Sequence, residues 1–167
     1  MDTRHSVIQT EELGELTLVA SGPALVGVYF PDHTTRPDRT SFGDNVDTAT
    51  DPVLSEASSQ LHEYLRGTRT TFELATATNG GAFEERVWEL LRSLPPGETV
   101  TYGDIGETLG DRALARRVGQ AVGRNPLSII VGCHRVVGKD GALRGYAGGL
   151  GRKRFLLDLE GCSVGGE

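Results

Sequence analysis

The chain has 167 residues, enough for one ordinary domain or two small ones, and its 37% hydrophobic and 24% charged residues fit a globular protein with a packed core. No apolar run approaches membrane-spanning length, MDTRHSVIQTEELGEL lacks the basic start and apolar stretch of a signal peptide, and two cysteines make no disulfide framework, so a reducing cytoplasm is the expected compartment. The net charge of −6 excludes a nucleic-acid binder only on average: residues 1–80 hold 5 Lys/Arg against 12 Asp/Glu, whereas residues 112–154 hold 10 Lys/Arg against Asp140 alone. Local field, not overall charge, decides whether phosphates are attracted.

In chain order, ELTLVAS and ALVGVYF are β-rich runs flanking the turn signal Ser21-Gly22-Pro23, which predicts a hairpin. PDHTTRPDRTSFGDNVDTATD reads as a long polar surface loop. Asp51-Pro52 looks like an N-cap with a first-turn proline, opening a helix through Val53, Leu54, Ala57, Leu61 and Leu65 as far as Gly67. TTFELATA predicts a further strand, and TNGG a boundary, giving domains at 1–80 and 81–167.

The second part reads as helices. AFEERVWELLRSL places Phe83, Val87, Leu90, Leu91 and Leu94 on one face beside Trp88. Thr101 and Asp104 have capping-box spacing, Gly110-Asp111 breaks the helix they open, and RALARRVGQAVGRN makes the next: a helix-turn-helix pattern. On that last helix Leu114, Val118, Ala121 and Val122 form a buried stripe, and Arg112, Arg116 and Gln120 lie away from it among Ala115, Gly119 and Gly123. Glycine inside a helix costs roughly 1 kcal/mol against alanine. Either tight helix packing or close approach of a nucleic-acid groove accounts for two of them.

SIIVGCHRVVGKDG, residues 128–141, sets Cys133 beside His134 and Arg135. Structural zinc wants four ligands, yet adjacent Cys133 and His134 do not readily face one ion, and Cys162, His5, His33 and His62 are scattered. An inert buried thiol leaves His134 and Arg135 unexplained. A nucleophile fits better: nearby arginines favour the thiolate, His134 takes the proton directly or through a water, and Glu160 is the best carboxylate to orient the imidazole.

These residues resemble the O6-alkylguanine-DNA alkyltransferases, the methylated-DNA–protein-cysteine methyltransferases. The family's Pro-Cys-His-Arg-Val is here Gly132-Cys133-His134-Arg135-Val136, and GETVTYGDIG, RRVGQAVGRNP, GYAGGLGRKRFLLDLEG and GELTLVAS are similar to family segments. The resemblance implies an N-terminal ribonuclease-H-like α/β domain followed by a helical helix-turn-helix (winged-helix-like) domain. It implies a monomer that binds alkylated double-stranded DNA, contacts no membrane, needs neither metal nor organic cofactor, and accepts one alkyl group from O6-alkylguanine. Cys133 would be the acceptor, His134 its base through a water, Glu160 the partner of His134, and Asn125 the tie on the preceding turn. Tyr102 would assist departure of guanine, and Arg116 would fill the gap left by the rotated nucleotide. Arg112, Arg117, Gly119, Gln120 and Arg135 would contact DNA. Gly132, Val136, Tyr146, Ala147 and Gly148 would line the pocket.

Two departures stand out. Ala147 replaces a frequent serine, removing one side-chain donor to O6. Gly132 replaces proline, and a wider pocket for bulkier adducts is the sharper expectation from that exchange. Two rivals remain open at this point: an alkyltransferase-like protein that binds damage without chemistry, and a helix-turn-helix regulator with a reactive cysteine.

Overall fold

In the computed structural model, which describes residues 3–33 and 37–162, the chain divides into two units, Met1–Thr78 and Asn79–Glu167. Residues 34–36, part of the expected polar loop, and 163–167 lie outside the described residues. The first unit opens with β1 (Thr3–Thr10), β2 (Gly14–Ser21) and β3 (Ala24–Tyr29). β2 and β3 form the expected hairpin, with Gly22 at φ 56° in its turn. β1 escapes apolar periodicity because its inward positions are Arg4, Ser6, Ile8 and Thr10, three of them polar, while Val7 faces out. It pairs antiparallel with β2 from Thr3↔Ser21 to Thr10↔Gly14, and parallel with the short β4 (Asp44–Asn45), giving the sheet order β3-β2-β1-β4.

Helix α1 (Pro52–Leu65) packs on this sheet through buried Leu54, Ala57, Leu61 and Leu65. Its start matches expectation: the Asp51 carboxylate accepts from the Val53 and Leu54 N–H groups, and Pro52 takes the first helical position. The same carboxylate receives the Arg4 guanidinium of β1 at 2.6 Å, which holds the Asp51 carboxyl below its ordinary range and ties the helix start to the sheet. The strand expected over TTFELATA does not form. That segment touches β3 only at a Leu25↔Thr76 bridge. The Gln60 side chain satisfies the Glu73 backbone in place of a neighbouring strand, accepting at 2.9 Å and donating at 3.2 Å.

The second unit is built from α2 (Ala82–Arg92), α3 (Tyr102–Thr108), α4 (Ala115–Gly123) and α5 (Leu150–Leu159), with β5 (Val100–Thr101) and β6 (Val136–Val137) paired in parallel. Val87, Trp88 and Leu91 of α2 are buried, and the Trp88 indole donates to the Ala121 carbonyl of α4 at 2.8 Å. Thr101 and Asp104 form the expected reciprocal capping box at the start of α3. Gly110 breaks the helix at φ 127°, and a single 3₁₀ turn over Arg112–Leu114 precedes α4, so the second helix begins at Ala115 rather than Arg112. The turn is close: a Cβ on Gly106 would lie 2.9 Å from the Asp111 carbonyl oxygen. α3, this turn and α4 make the helix-turn-helix.

Candidate active site and nucleic-acid interface

The segment from α4 to β6 is irregular yet mostly buried, so its backbone groups need partners inside the protein. Asn125 supplies several. Its Oδ1 accepts from the Leu127 N–H at 2.9 Å, and its Nδ2 donates to the carbonyls of Val131 at 3.0 Å and Leu127 at 3.4 Å. Between these ties sits Ile129, whose φ of 74° makes it the one positive-φ residue other than glycine among the described residues. The Ile130 N–H closes a γ-turn onto the Ser128 carbonyl at 2.8 Å. A β-branched residue so placed costs about 1–3 kcal/mol and persists only where its surroundings over-determine it. A second tight turn follows at Gly132 (φ −72°, ψ 55°), with the Cys133 N–H donating to the Val131 carbonyl at 2.7 Å. Asn125 thus braces the loop that delivers the thiol.

Cys133 starts a 3₁₀ turn and is buried. Burial pushes its thiol pKa up, opposed by the nearby Asn125 amide, the charge of Lys153 and the Tyr146 side chain. The expected arginine field is therefore corrected: lysine, amide and phenol act on the sulfur. The imidazole of His134 is fully enclosed, and burial lowers its pKa against the opposing pull of Glu160. Its Nε2 lies 2.8 Å from Glu160 Oε2, across 26 positions of sequence. A ring that donates from Nε2 leaves Nδ1 as the acceptor. That nitrogen is buried and meets no hydrogen-bond partner among the described residues.

Arg135 is a second correction. It was expected on DNA, but it is only 6% exposed and turned inward. Its Nε and Nη2 donate to the two oxygens of Glu160, each at 2.8 Å, and its Nη1 donates to the Leu94 carbonyl at 2.8 Å. The bidentate fork fixes the carboxylate that orients His134. Gly132 belongs to the same device. A Cβ at that position would meet Arg135 Nη1 at 2.7 Å, so Arg135 fills the direction a side chain would take.

Of the other pocket candidates, Val136 is fully buried in β6, and Tyr146, Ala147 and Gly148 form the turn entering α5. The Gly149 N–H closes that turn on the Tyr146 carbonyl at 2.9 Å. Tyr102 heads α3; burial and the nearby Cys133 raise its phenol pKa.

A groove of about 990 Å³ runs past Tyr102. One wall is the start of α3, another is the Ala115, Arg116 and Gly119 face of α4, and Gly138, Lys139 and Arg144 close it. The groove gathers Tyr102, Arg112, Arg116 and Gly119 from the expected set. Arg112 is held there by Asp104 at 2.9 Å and Glu107 at 2.7 Å, leaving Arg116, Lys139 and Arg144 as its other cations. Arg117 and Gln120 lie on the opposite flank of α4, where the Arg117 guanidinium sits 4.0 Å from the centre of the Phe83 ring. A Cβ on Gly119 would make only ordinary contact, 3.7 Å from Tyr102, and one on Gly123 would meet nothing within 4 Å. Packing within the protein does not demand these glycines, which favours an external body against α4.

Lys139, Arg144 and Lys153 went unassigned from sequence, although all three belong to the basic stretch at 112–154. Lys153 of α5 is fully buried, and its Nζ donates to the carbonyls of Arg144 at 3.1 Å and Gly145 at 3.3 Å. Burial brings its pKa down to about 8, partly offset by Cys133. The ammonium therefore remains the favoured form at neutral pH.

Comparison with known proteins places this arrangement. Residues 82–162 match the family model of the 6-O-methylguanine DNA methyltransferase DNA binding domain, and residues 4–78 match that of its ribonuclease-like domain. The chain is 42% identical over 148 residues to a methylated-DNA–protein-cysteine methyltransferase of Mycolicibacterium paratuberculosis, covering 89% of this chain and 87% of that protein. A similarly named protein of Mycobacterium leprae is 42% identical over 156 residues, covering 93% and 92%. The crystal structure of Mycobacterium tuberculosis OGT in complex with DNA aligns with a TM-score of 0.84 at 39% identity, covering 94% of this chain and 92% of that one. With both family domains matched in order, and the Cys133–His134–Glu160 constellation inside the second, the chain belongs to the 6-O-methylguanine DNA methyltransferase family.

Proposed function

We propose that the protein repairs O6-alkylguanine in duplex DNA by direct reversal, moving the alkyl group onto Cys133 once per molecule. The observation that carries this reading is the buried Cys133 next to His134, whose Nε2 is committed to Glu160 and whose Nδ1 is open to a proton. The target carbon is hidden in stacked DNA, so the nucleotide rotates out at a cost of a few kcal/mol. Arg116 fills the gap it leaves, and groove cations hold the flanking phosphates.

The Cys133 proton passes to His134 Nδ1 through a bridging water, and the Glu160–Arg135 pair steadies the imidazolium that results. The thiolate attacks the alkyl carbon in line. A carbon–sulfur bond forms, the carbon–O6 bond breaks, and guanine leaves with the bonding electrons; the proton held by His134 returns through water to the departing base beside Tyr102. No ordinary cellular reaction reverses the thioether, so the protein is spent. Residues 81–167 carry binding and transfer in this scheme. The two free thiols and the absence, among the described residues, of a helix long and apolar enough to cross a membrane fit a cytoplasmic protein.

A titration tests stoichiometry. Increasing O6-methylguanine duplex added to a fixed amount of protein yields one repaired lesion per polypeptide and then stops, and Cys133→Ser repairs none. Tight binding of lesion DNA without repair would assign the chain to the damage-binding proteins instead. Sequence-selective binding of undamaged DNA without repair would favour a regulator.

A further inference from the structure

Three arginines of the second unit lie with their side chains across a glycine. A Cβ on Gly103 would lie 2.5 Å from Arg112 Nη1, and one on Gly132 would lie 2.7 Å from Arg135 Nη1. A Cβ on Gly138 would lie 3.0 Å from both Cγ and Nε of Arg144. Two of these seats deliver a guanidinium to carboxylates of the protein, Asp104 and Glu107 for Arg112, and Glu160 for Arg135. The third does not. Among the described residues no carboxylate pairs with Arg144, although Arg144 lines the groove.

The third seat is itself well fixed. Gly138 is buried, its N–H donates to the Ala142 carbonyl at 2.7 Å, and its carbonyl accepts from the Gly141 N–H at 2.9 Å. A long side chain whose stem is already packed has less freedom to lose when it grips an anion. Tyr102 lines the same groove. Its phenol pKa is raised by burial and by Cys133 and drawn back by the charge of Arg144, so the three groups share one neighbourhood. An anion held by Arg144 therefore sits beside Tyr102, the groove residue on which Cys133 also acts.

We propose that Arg144, seated on Gly138, binds the phosphodiester flanking the rotated nucleotide beside Tyr102 and so holds the alkyl carbon in line with Cys133. This rests on the reading that the lesion nucleotide swings out to Cys133. A phosphodiester supplies here the negative charge that carboxylates supply at the other two seats, and the planar guanidinium fork suits two of its oxygens.

The test removes each partner in turn. Single-turnover rates are measured with saturating O6-methylguanine duplex in wild type, Arg144→Gln and Gly138→Ala. The duplex carries natural phosphates or one uncharged methylphosphonate on the 5′ or the 3′ side of the lesion. Free O6-methylguanine base, which has no phosphate, is the reference substrate. Arg144→Gln is expected to lower the ratio of duplex rate to free-base rate about tenfold, the loss of one charge-assisted contact. Gly138→Ala keeps every charge but occupies the seat, and is expected to lower the ratio about threefold or more. One of the two methylphosphonates is expected to slow wild type about tenfold but Arg144→Gln by less than about twofold, because the contact is already gone. An unchanged ratio in Arg144→Gln overturns the proposal, and so do methylphosphonate and Arg144→Gln effects that multiply at both positions. Should Gly138→Ala not fold, Arg144→Gln and the methylphosphonates decide alone, Arg144 being exposed. Failure of the wild type to accept a methyl group from either substrate would instead remove the function reading itself.

Discussion

Burial acts on Cys133 and His134 in opposite senses, and together these keep the pair neutral at rest. The thiol pKa is pushed up and the imidazole pKa down, so neither group carries charge until a proton crosses between them. Glu160, gripped by Arg135 at both oxygens, makes that crossing favourable by standing ready beside the imidazolium. Gly132 enters here. Its φ of −72° is one that proline adopts, so Gly132→Pro fits the backbone; its conflict is with the Arg135 guanidinium. The substitution should therefore slow transfer of every adduct by about two- to tenfold, through a loosened grip on Glu160. The ratio of rates for O6-methylguanine and a bulkier O6-alkylguanine should not move. A changed ratio would restore the wider-pocket explanation of this glycine.

The helices and caps were legible in the sequence where one local rule decided them. Asp51-Pro52 and the Thr101–Asp104 box each depend on neighbours within a few positions, and each forms; of the expected stripe Val118, Ala121 and Val122 are buried, whereas Leu114 falls in the 3₁₀ turn and is half-buried. β1 was illegible because buried Arg4 and Ser6 take their partners from distant residues, Arg4 from Asp51 and Gly22 and Ser6 from Thr48. TTFELATA misled for the converse reason, its backbone at Glu73 being held by the Gln60 side chain instead of a strand. Helix α4 can be tested directly. If its glycines serve an external body, Gly119→Ala should raise the thermal midpoint, since alanine gains up to about 1 kcal/mol in a helix and finds only ordinary contact here. The same substitution should weaken duplex binding. A destabilised variant with normal binding would show that the glycine serves internal packing.

Across the whole molecule, charge was legible in amount but not in destination. The basic stretch at 112–154 spends Arg135 on Glu160, Lys153 on two carbonyls, Arg112 on Asp104 and Glu107, and Arg124 on Glu84. Arg116, Lys139 and Arg144 remain in the groove. Only tertiary structure separates these fates, because all seven residues look alike in sequence. Affinity for undamaged duplex should accordingly fall with salt despite the net charge of −6. Alanine at Arg116, Lys139 or Arg144 should each flatten the slope of log K against log salt by about 0.9, whereas Arg124→Ala on the far flank should leave it alone. Equal effects at all four positions would argue for a diffuse field with no groove preference.

The resting place of the alkyl group is decisive. Protein incubated with excess O6-methylguanine duplex should, on proteolysis and tandem mass spectrometry, show a single methyl thioether at Cys133 and an unmodified Cys162. An unmodified Cys133 in folded protein, or a methyl group found only elsewhere in the chain, would contradict transfer to Cys133.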